Sequence, residues 1–205
     1  MPSAPSEERP VWGRPVSAKF VVSGGFGAGK TTFVGAISEI TPLRTEAAMT
    51  VESVGVDDTS GLPDKTTTTV AMDFGRLTVE DDLVLYLFGT PGQDRFWFMW
   101  DDVTRGALGA IVLIDTRRLG QSYSAIDYFE QRSIPFVVAV NQFDGAPRHP
   151  LDEVRYALAI GDDTPLVVCD ARDPESVRQV LVGLCGHVLR RLDRSEGDDR
   201  LPSIA

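Results

Sequence analysis

Cysteine and histidine are scarce in this chain, with two of each in 205 residues. Cys169 and Cys185 lie in apolar segments, which is typical of reduced, packed thiols rather than of a disulfide framework. Only His149 and His187 could supply imidazole ligands, so a zinc cluster is not expected. This composition argues against the disulfide-rich and zinc-stabilised classes and favours a cytoplasmic protein.

The chain also lacks a block of basic residues and any apolar run near the roughly 20 residues that a membrane span needs. Its 30 acidic residues outnumber its 20 lysines and arginines, and the formal net charge is -10. Such a charge repels nucleic acid and anionic bilayers. Pro2 stands where myristoylation needs glycine, and no prenylation cysteine lies near Ala205. We therefore expect no nucleic-acid partner, and recruitment to the inner face of a membrane only indirectly, through a partner protein.

Short valine- and isoleucine-rich runs alternate with amphipathic segments, which predicts an α/β domain of three layers, with helices on both faces of a six-stranded, mostly parallel sheet. Residues 1–15 and 193–205 are polar and are predicted to be flexible tails around one domain at 16–192. Residues 41–69 fit no regular pattern. The predicted strands are Lys19–Ser23, Val70–Val79, Leu83–Phe88, Ala110–Asp115, Pro135–Asn141 and Leu166–Cys169. The second and third are joined so closely that they should form an antiparallel hairpin.

The last predicted helix begins at Asp173-Pro174, an N-cap aspartate followed by proline at the first helical position. Gly183 and Gly186 within it either allow a close approach to the sheet or simply weaken the helix. One apolar stripe of this helix is expected to pack on the sheet, and it comprises Val177, Val180, Leu181, Leu184, Val188 and Leu192.

Gly24–Thr31 reads Gly-Gly-Phe-Gly-Ala-Gly-Lys-Thr between an apolar run and a helix-like stretch, and it matches the G-x-x-x-x-G-K-[ST] phosphate-binding loop. In such a loop, backbone N–H groups surround phosphate oxygens, Lys30 contacts the β- and γ-phosphates, and the Thr31 hydroxyl holds Mg²⁺. Thr32 either reaches the α-phosphate or packs the first helical turn. The predicted phosphate-binding residues are Gly24, Gly25, Phe26, Gly27, Ala28, Gly29, Lys30, Thr31 and Thr32.

Later loops carry further candidate nucleotide-binding residues. After the third run, Gly92 is placed to give its N–H to a γ-phosphate, and Gln93 either orients an attacking water or is a surface residue. After the fifth run, the Asp144 carboxylate either accepts two hydrogen bonds from guanine or only opens a loop. After the sixth run, the Ala171 N–H is placed to meet the guanine carbonyl oxygen. The predicted base site comprises Asn141, Gln142, Asp144, Ala171 and Arg172.

Over roughly residues 17–192 these motifs resemble those of the Ras-like small GTPases. The stretch Gly92–Arg95 followed by Trp100 is similar to the Arf branch. The Thr-Pro-Gly-Gln segment at 90–93, the segment Thr66–Gly75 and an early Gly-Lys-Thr-Thr look like bacterial Mgl-type GTPases, and most like the conservon-encoded (CvnD-type) proteins of actinobacteria. The resemblance implies a P-loop NTPase fold, a GTP/GDP switch with Mg²⁺, and a roadblock-fold regulator and a receptor-like histidine kinase as partners.

This sequence departs from the family pattern at two site positions. Gly89 replaces the D-x-x-G aspartate that holds a Mg²⁺-bound water, so metal binding would depend on Thr31, the phosphates, and Asp115 or Asp73. Gln142 replaces the N-K-x-D lysine that covers the base.

One residue of Thr66–Thr69 is expected to contact Mg²⁺ and the γ-phosphate, unless the run is only a β-rich loop. The resemblance favours Thr69 and places Thr68 where some relatives carry a catalytic arginine. The expected catalytic residues are therefore Gln93, Lys30 and Thr69, with Thr31 and Thr69 as metal ligands.

Residues 96–100 form the dense run Phe-Trp-Phe-Met-Trp. Five such side chains in succession cannot all point into one core, so some are predicted to form a partner-binding patch. Together the sequence predicts a GTP-binding switch that hydrolyses GTP slowly, because Gly89 is present and no arginine finger is evident. Two alternatives stay open: a non-hydrolysing nucleotide-bound adaptor, which Gly89 and Gln142 favour, and a P-loop ATPase or kinase.

Overall fold

The computed structural model describes residues 16–41, 43–50, 67–80, 83–92 and 98–198. The strands are β1 Val16–Gly24, β2 Leu43–Thr50, β3 Thr67–Glu80, β4 Leu83–Gly89, β5 Gly109–Ile114, β6 Phe136–Asn141 and β7 Leu166–Cys169. The helices are α1 Lys30–Ile37, α2 Trp100–Thr104, α3 Tyr123–Gln131, α4 Leu151–Leu158 and α5 Pro174–Asp198, with a 3-10 helix at Thr116–Gln121. None of the helices within these ranges is long and apolar enough to cross a bilayer.

The strands form one sheet in the order β2-β3-β4-β1-β5-β6-β7. β1 is parallel to both β4 and β5, and the parallel pairing continues through β6 to β7. The β3–β4 hairpin is antiparallel, as predicted, and the three-layer α/β architecture is confirmed. All six predicted strands are present, but the sheet has a seventh, β2, which pairs antiparallel with β3 at the edge.

The missed strand β2 lies in the stretch 41–69, where we expected no regular structure. Its sequence, Leu-Arg-Thr-Glu-Ala-Ala-Met-Thr, has no alternation of apolar and polar residues. An edge strand needs only backbone hydrogen bonds to one neighbour, so side-chain pattern is a weak predictor for it.

Helices cover the sheet on both faces and enclose two cores. Side chains of β1 alternate between them: Phe20 and Val22 face α1 and α5, whereas Val21 faces α2, α3 and α4. Every residue of β5 and β6 is buried. Central parallel strands that are covered on both faces are expected to be apolar throughout, which explains why their sequences were easy to recognise.

The start of α5 is the N-cap that the sequence predicts. Asp173 Oδ1 accepts a hydrogen bond from the Glu175 N–H at 3.1 Å, and Asp173 Oδ2 accepts one from the Ser176 N–H at 3.3 Å. These bonds satisfy N–H groups that have no partner inside the helix. The helix then continues to Asp198, beyond the predicted boundary at residue 192.

The predicted apolar stripe of α5 is buried up to Val188, but Leu192 is exposed. Of the two alternatives for Gly183 and Gly186, the close approach to the sheet is not what the structure shows. A Cβ at Gly183 would meet nothing within 4 Å, and the nearest atom to one at Gly186 would be an arginine side-chain nitrogen at 3.4 Å. These glycines therefore do not explain how the helix packs.

Both cysteines are free thiols, as the sequence predicts. Cys169 is buried in the core under α1 and α5, and burial raises the pKa of its thiol to about 11. Cys185 is partly buried, and burial raises the pKa of its thiol as well. A thiol with a raised pKa is a poor nucleophile, so these side chains act as small packing groups.

We expect Asp173→Ala to lower the free energy of unfolding by about 1 kcal/mol, because α5 would lose its N-cap acceptor. Urea denaturation measures this change. Asp193→Ala, which removes an exposed carboxylate from the same helix, is the matched control and should change the value by less than about 0.5 kcal/mol. Equal effects of the two substitutions would contradict the role assigned to the cap.

Candidate functional site

The predicted nucleotide-binding motifs meet at one edge of the sheet. The loops that leave β1, β4, β6 and β7 at their carboxyl ends carry them, and β1 lies between β4 and β5. Ligands of open α/β sheets bind outside the carboxyl ends of the strands, so this edge is the expected place for a nucleotide.

The phosphate-binding loop connects β1 to α1 and lies tightly against neighbouring strands. A Cβ at Gly24 would lie 2.2 Å from the Leu113 carbonyl oxygen of β5. A Cβ at Gly29, whose φ is +104°, would lie 2.4 Å from Asn141 Nδ2 of β6. Only glycine fits these two positions, whereas Phe26 projects into solvent from the same loop.

Lys30 is buried at the first position of α1, and its ammonium caps the loop. Nζ donates hydrogen bonds to the carbonyl oxygens of Gly24 and Gly25, at 2.8 Å each. Burial lowers the pKa of Lys30 from 10.5 to about 8, and the nearby Asp73 carboxylate opposes that change. A Cβ at Gly92 would lie 2.5 Å from Nζ, so Lys30 and Gly92 lie close together.

The hydroxyl of Thr31 is paired with a carboxylate from the neighbouring hairpin. Thr31 Oγ1 donates a hydrogen bond to Asp73 Oδ2 at 2.7 Å. Asp73 lies beside Gly89, where an added Cβ would be 3.0 Å from the Asp73 Cβ. A carboxylate therefore stands next to the position of the missing family aspartate, supplied by β3 instead of β4.

Asp115, the other carboxylate that the sequence offered for the metal, is committed elsewhere. It accepts hydrogen bonds from Arg117 Nε and Nη2 at 2.8 Å each, and its side chain also caps the 3-10 helix through the Arg117 N–H. The side-chain hydrogen bond from Arg117 lowers the pKa of Asp115. Of the two candidates, the structure brings Asp73 to Thr31.

Asn141 connects the phosphate-binding loop to the base-binding corner. Its buried Nδ2 donates to the Ala28 carbonyl oxygen at 2.9 Å, and its Oδ1 accepts the Ala171 N–H at 3.0 Å. The Ala171 N–H that we predicted for the guanine carbonyl oxygen is thus bonded to Asn141 here. Gln142 follows with its own N–H bonded to the Cys169 carbonyl oxygen at 2.7 Å, which fixes the backbone at the end of β6.

Asp144, the predicted guanine acceptor, forms an ion pair with Arg172. Arg172 Nη1 lies 2.7 Å from Asp144 Oδ2, and Nη2 lies 3.1 Å from Oδ1. This pairing lowers the pKa of Asp144. The Asp144 side chain is 86% exposed, so the pair lies at the mouth of the site.

Two further residues contact the site and were missed by sequence reasoning. The Arg117 guanidinium lies over the Phe143 ring, 4.1 Å from its centroid. Gln121 packs on the phosphate-binding loop, since a Cβ at Gly25 would lie 2.6 Å from Gln121 Oε1. Both residues belong to the 3-10 helix that follows β5. In the sequence, only their place directly after a predicted central strand indicates that they lie at the same edge of the sheet as the site.

Several predicted residues are described partly or not at all. Gln93, Phe96 and Trp97 lie outside the described residues, as does Thr66. The backbone of Thr69 is part of β3 and pairs with Ala48 of β2. At the usual strand rise of about 3.3 Å per residue, Thr69 lies about 13 Å along β3 from Asp73. Its expected metal contact would therefore require β2 and β3 to shift.

The described part of the aromatic run divides between core and surface. Met99 and Trp100 are buried, and Trp100 stacks with Phe129 of α3. Phe98 is exposed and borders a groove of about 250 Å³. The remaining lining of the groove is Lys19, Met72, Phe88, Met99, Asp102 and Val103.

Solved structures share this architecture. The Arl6 BBS3 small GTPase of Trypanosoma brucei, solved with the nucleotide analogue GppNp, matches with a TM-score of 0.60 at 15% identity over 85% of this chain and 99% of its own. The FeoB G-domain of Methanococcus jannaschii matches with a TM-score of 0.56 at 12% identity over 84% and 98%. The chain therefore has the fold of a nucleotide-binding G domain, as Ras-like small GTPases do. It belongs to the family described as conserved hypothetical ATP binding protein, whose model matches residues 22–191.

Sequence relatives agree with this fold. Uncharacterized protein MJ1339 of Methanocaldococcus jannaschii is 29% identical over 128 residues, which are 62% of this chain and 70% of that protein. Ras-related protein RIC1 of Oryza sativa subsp. japonica is 27% identical over 134 residues, 60% of this chain and 66% of its own. The matched region thus spans about two thirds of the length of these relatives.

The lowered pKa of Lys30 predicts a pH-dependent stability of the ligand-free protein. The unfolded chain, with a lysine pKa near 10.5, binds more protons than the folded chain, with a value of about 8. Between these values the free energy of unfolding should therefore rise with pH, by about 1 kcal/mol per pH unit relative to Lys30→Met. Urea denaturation at several pH values measures the difference. Arg178→Met, which removes an exposed charge of α5, should track the wild type. A constant difference between wild type and Lys30→Met would contradict this assignment.

Proposed function

We propose that this protein is a GTP-binding molecular switch, which hydrolyses GTP slowly to GDP and couples its nucleotide state to partner binding in signalling. The observation that supports this best is the Asn141 carboxamide, which holds the phosphate-binding loop and the loop after β7 in one frame. In this frame Lys30 would contact the phosphates, and Asp144 would accept hydrogen bonds from the base. A guanine offers the two adjacent donors that a carboxylate can accept together.

The residues at the phosphates fit a bound Mg²⁺. Thr31 Oγ1 and Asp73 Oδ2 are hard oxygen donors that already lie within hydrogen-bond distance. No cluster of three or more Asp, Glu, His or Cys residues suited to a metal exists in the part of the chain that the structure describes, so phosphate oxygens and water would complete the shell. Mg²⁺ would neutralise the β- and γ-phosphate charge, Thr31 would bind it, and Asp73 would hold a bound water.

The hydrolytic step depends on residues of this chain that position water and stabilise charge. Gln93 would orient the attacking water, and the Lys30 ammonium and the Gly92 N–H would stabilise charge on the γ-phosphate. Thr69 would join them if β2 and β3 shift. Thr68 stands where some Mgl-type proteins carry a catalytic arginine, and Gly89 stands where the family pattern has an aspartate, which favours slow turnover without a regulator.

The exposed Phe98 and the groove beside it are the proposed contact surface for partners. Phe98 lies just before α2 and follows Gly92 closely in sequence, so γ-phosphate contacts would alter its position. The resemblance to conservon-encoded Mgl-type proteins favours a roadblock-fold regulator and a receptor-like histidine kinase as partners. We expect a cytoplasmic protein that reaches the membrane through such a partner.

Two other functions have specific support. The family description and Gln142 favour ATP as the ligand, and Gly89 favours a nucleotide-bound adaptor that does not hydrolyse. Both alternatives use the same phosphate-binding loop. Base preference and phosphate release therefore separate them from the GTPase proposal.

Base preference is tested by exchanging the acceptor at Asp144. In calorimetric titrations of nucleotide-stripped protein, Asp144→Asn should weaken GDP binding by about 100-fold, because two charge-assisted hydrogen bonds are lost. The same variant should bind xanthosine diphosphate more tightly, because the 2-oxo group accepts a hydrogen bond from the new amide. Asp152→Asn, an exposed residue of α4, is the charge-matched control. Preferential ADP binding by the wild type would overturn the guanine assignment.

The metal and hydrolysis proposals are tested together by single-turnover phosphate release from GTP at graded Mg²⁺ concentrations. Asp73→Asn should raise the half-saturating Mg²⁺ concentration by about tenfold, because the charged partner of Thr31 is lost. Asp127→Asn, an exposed α3 variant, should behave as the wild type. Absence of phosphate release by the wild type at saturating Mg²⁺ would instead support the adaptor.

A further inference from the structure

Arg172 covers the part of Asp144 that a guanine base would need. Its two terminal nitrogens lie 2.7 and 3.1 Å from the two carboxylate oxygens, in the side-by-side geometry of a bidentate pair. Guanine presents N1–H and its 2-amino group with the same side-by-side spacing. The base and the guanidinium therefore compete for the same lone pairs, and one carboxylate cannot accept both pairs of donors in this geometry.

Arg172 also pairs with a second carboxylate, Asp170, and this pairing would persist if Arg172 left Asp144. Asp170 Oδ1 accepts hydrogen bonds from Arg172 Nε and from its backbone N–H at 2.9 Å each, and Asp170 Oδ2 accepts from Nη2 at 2.8 Å. These bonds lower the pKa of Asp170 to about 2. Release of Asp144 thus breaks one ion pair but leaves Arg172 paired with Asp170, while the Asp144 carboxylate becomes free to accept hydrogen bonds from the base.

Exposure of both partners keeps the cost of this release small. The Asp144 and Arg172 side chains are 86% and 55% exposed, so water replaces their contact readily. The pair is therefore weak enough for a base with two donors to displace. Hypoxanthine has one donor at this edge, and adenine has an acceptor beside its amino group. Either base would form fewer hydrogen bonds with Asp144 than guanine, and would therefore offset less of the free energy lost when the ion pair breaks.

We propose that Arg172 is a specificity-determining residue that occupies the guanine-recognition face of Asp144 in the nucleotide-free protein and must be displaced by the incoming base. The inference rests on the proposed guanine site. In addition, Arg172 would compete with the base for the Asp144 carboxylate. This competition lowers the affinity of the protein for every nucleotide that binds Asp144 and leaves its affinity for other nucleotides unchanged.

The test is calorimetric titration of the nucleotide-stripped full chain with GDP, inosine diphosphate and ADP. Arg172→Gln should bind GDP roughly two- to fivefold more tightly than the wild type, which is the range expected for removal of an exposed ion pair. ADP affinity should not change. Arg178→Gln is the matched control, because Arg178 is also 55% exposed and pairs with a neighbouring glutamate of α5. It loses the same charge without touching Asp144.

Added salt and a conservative variant give independent readouts. The difference in GDP affinity between wild type and Arg172→Gln should narrow as ionic strength rises, because an exposed pair is screened. Arg172→Lys keeps the charge but loses the planar fork, and it should give an intermediate affinity. Circular dichroism establishes that each variant is folded.

The possible outcomes separate this inference from the proposed function. Weaker GDP binding by Arg172→Gln would mean that Arg172 holds the nucleotide itself, and unchanged binding would mean that the pair does not compete. Either result rejects the inference while the wild type still binds GDP. If neither the wild type nor Arg172→Gln binds GDP, the assignment of the guanine site itself is wrong.

Discussion

The buried carboxamide of Asn141 is the contact on which the geometry of the site depends. One amide group donates to the loop after β1 and accepts from the loop after β7, so segments far apart in sequence share one reference point. A buried amide left without either partner would be costly, which ties the two loops to a single arrangement. The glycine at position 29 belongs to the same arrangement, because any side chain there would strike the Asn141 amide nitrogen.

The candidate site presents positive groups, although the molecule as a whole carries a negative net charge. The net charge of -10 repels a nucleotide polyanion, yet the site offers the start of α1 and the Lys30 ammonium. Burial makes that ammonium less favourable in the ligand-free protein, and an arriving phosphate would relieve the cost. Three carboxylates of the candidate site are each held by a partner: Asp73 by Thr31, Asp115 by Arg117 and Asp144 by Arg172. Local pairing thus limits repulsion where anions must enter.

Sequence reasoning succeeded where a local pattern has one physical explanation. Glycines before Lys30, a cap before Pro174 and continuous apolar runs in central strands each correspond to a short-range requirement of backbone or burial. It failed where the answer depended on a distant neighbour. Leu192 continues the apolar spacing of α5 yet is exposed, and a Cβ at Gly183 would meet nothing within 4 Å.

The sequence by itself determined the fold class, the position of the phosphate-binding loop and the end of the sheet at which a nucleotide would bind. These follow from periodicity and backbone freedom, which act over a few residues. Only the tertiary structure decided that Asp73 rather than Asp115 meets Thr31, that Ala171 bonds to Asn141, and that Arg172 engages Asp144. Such choices depend on which side chains the fold brings within about 3 Å of each other, because hydrogen bonds form only at that range.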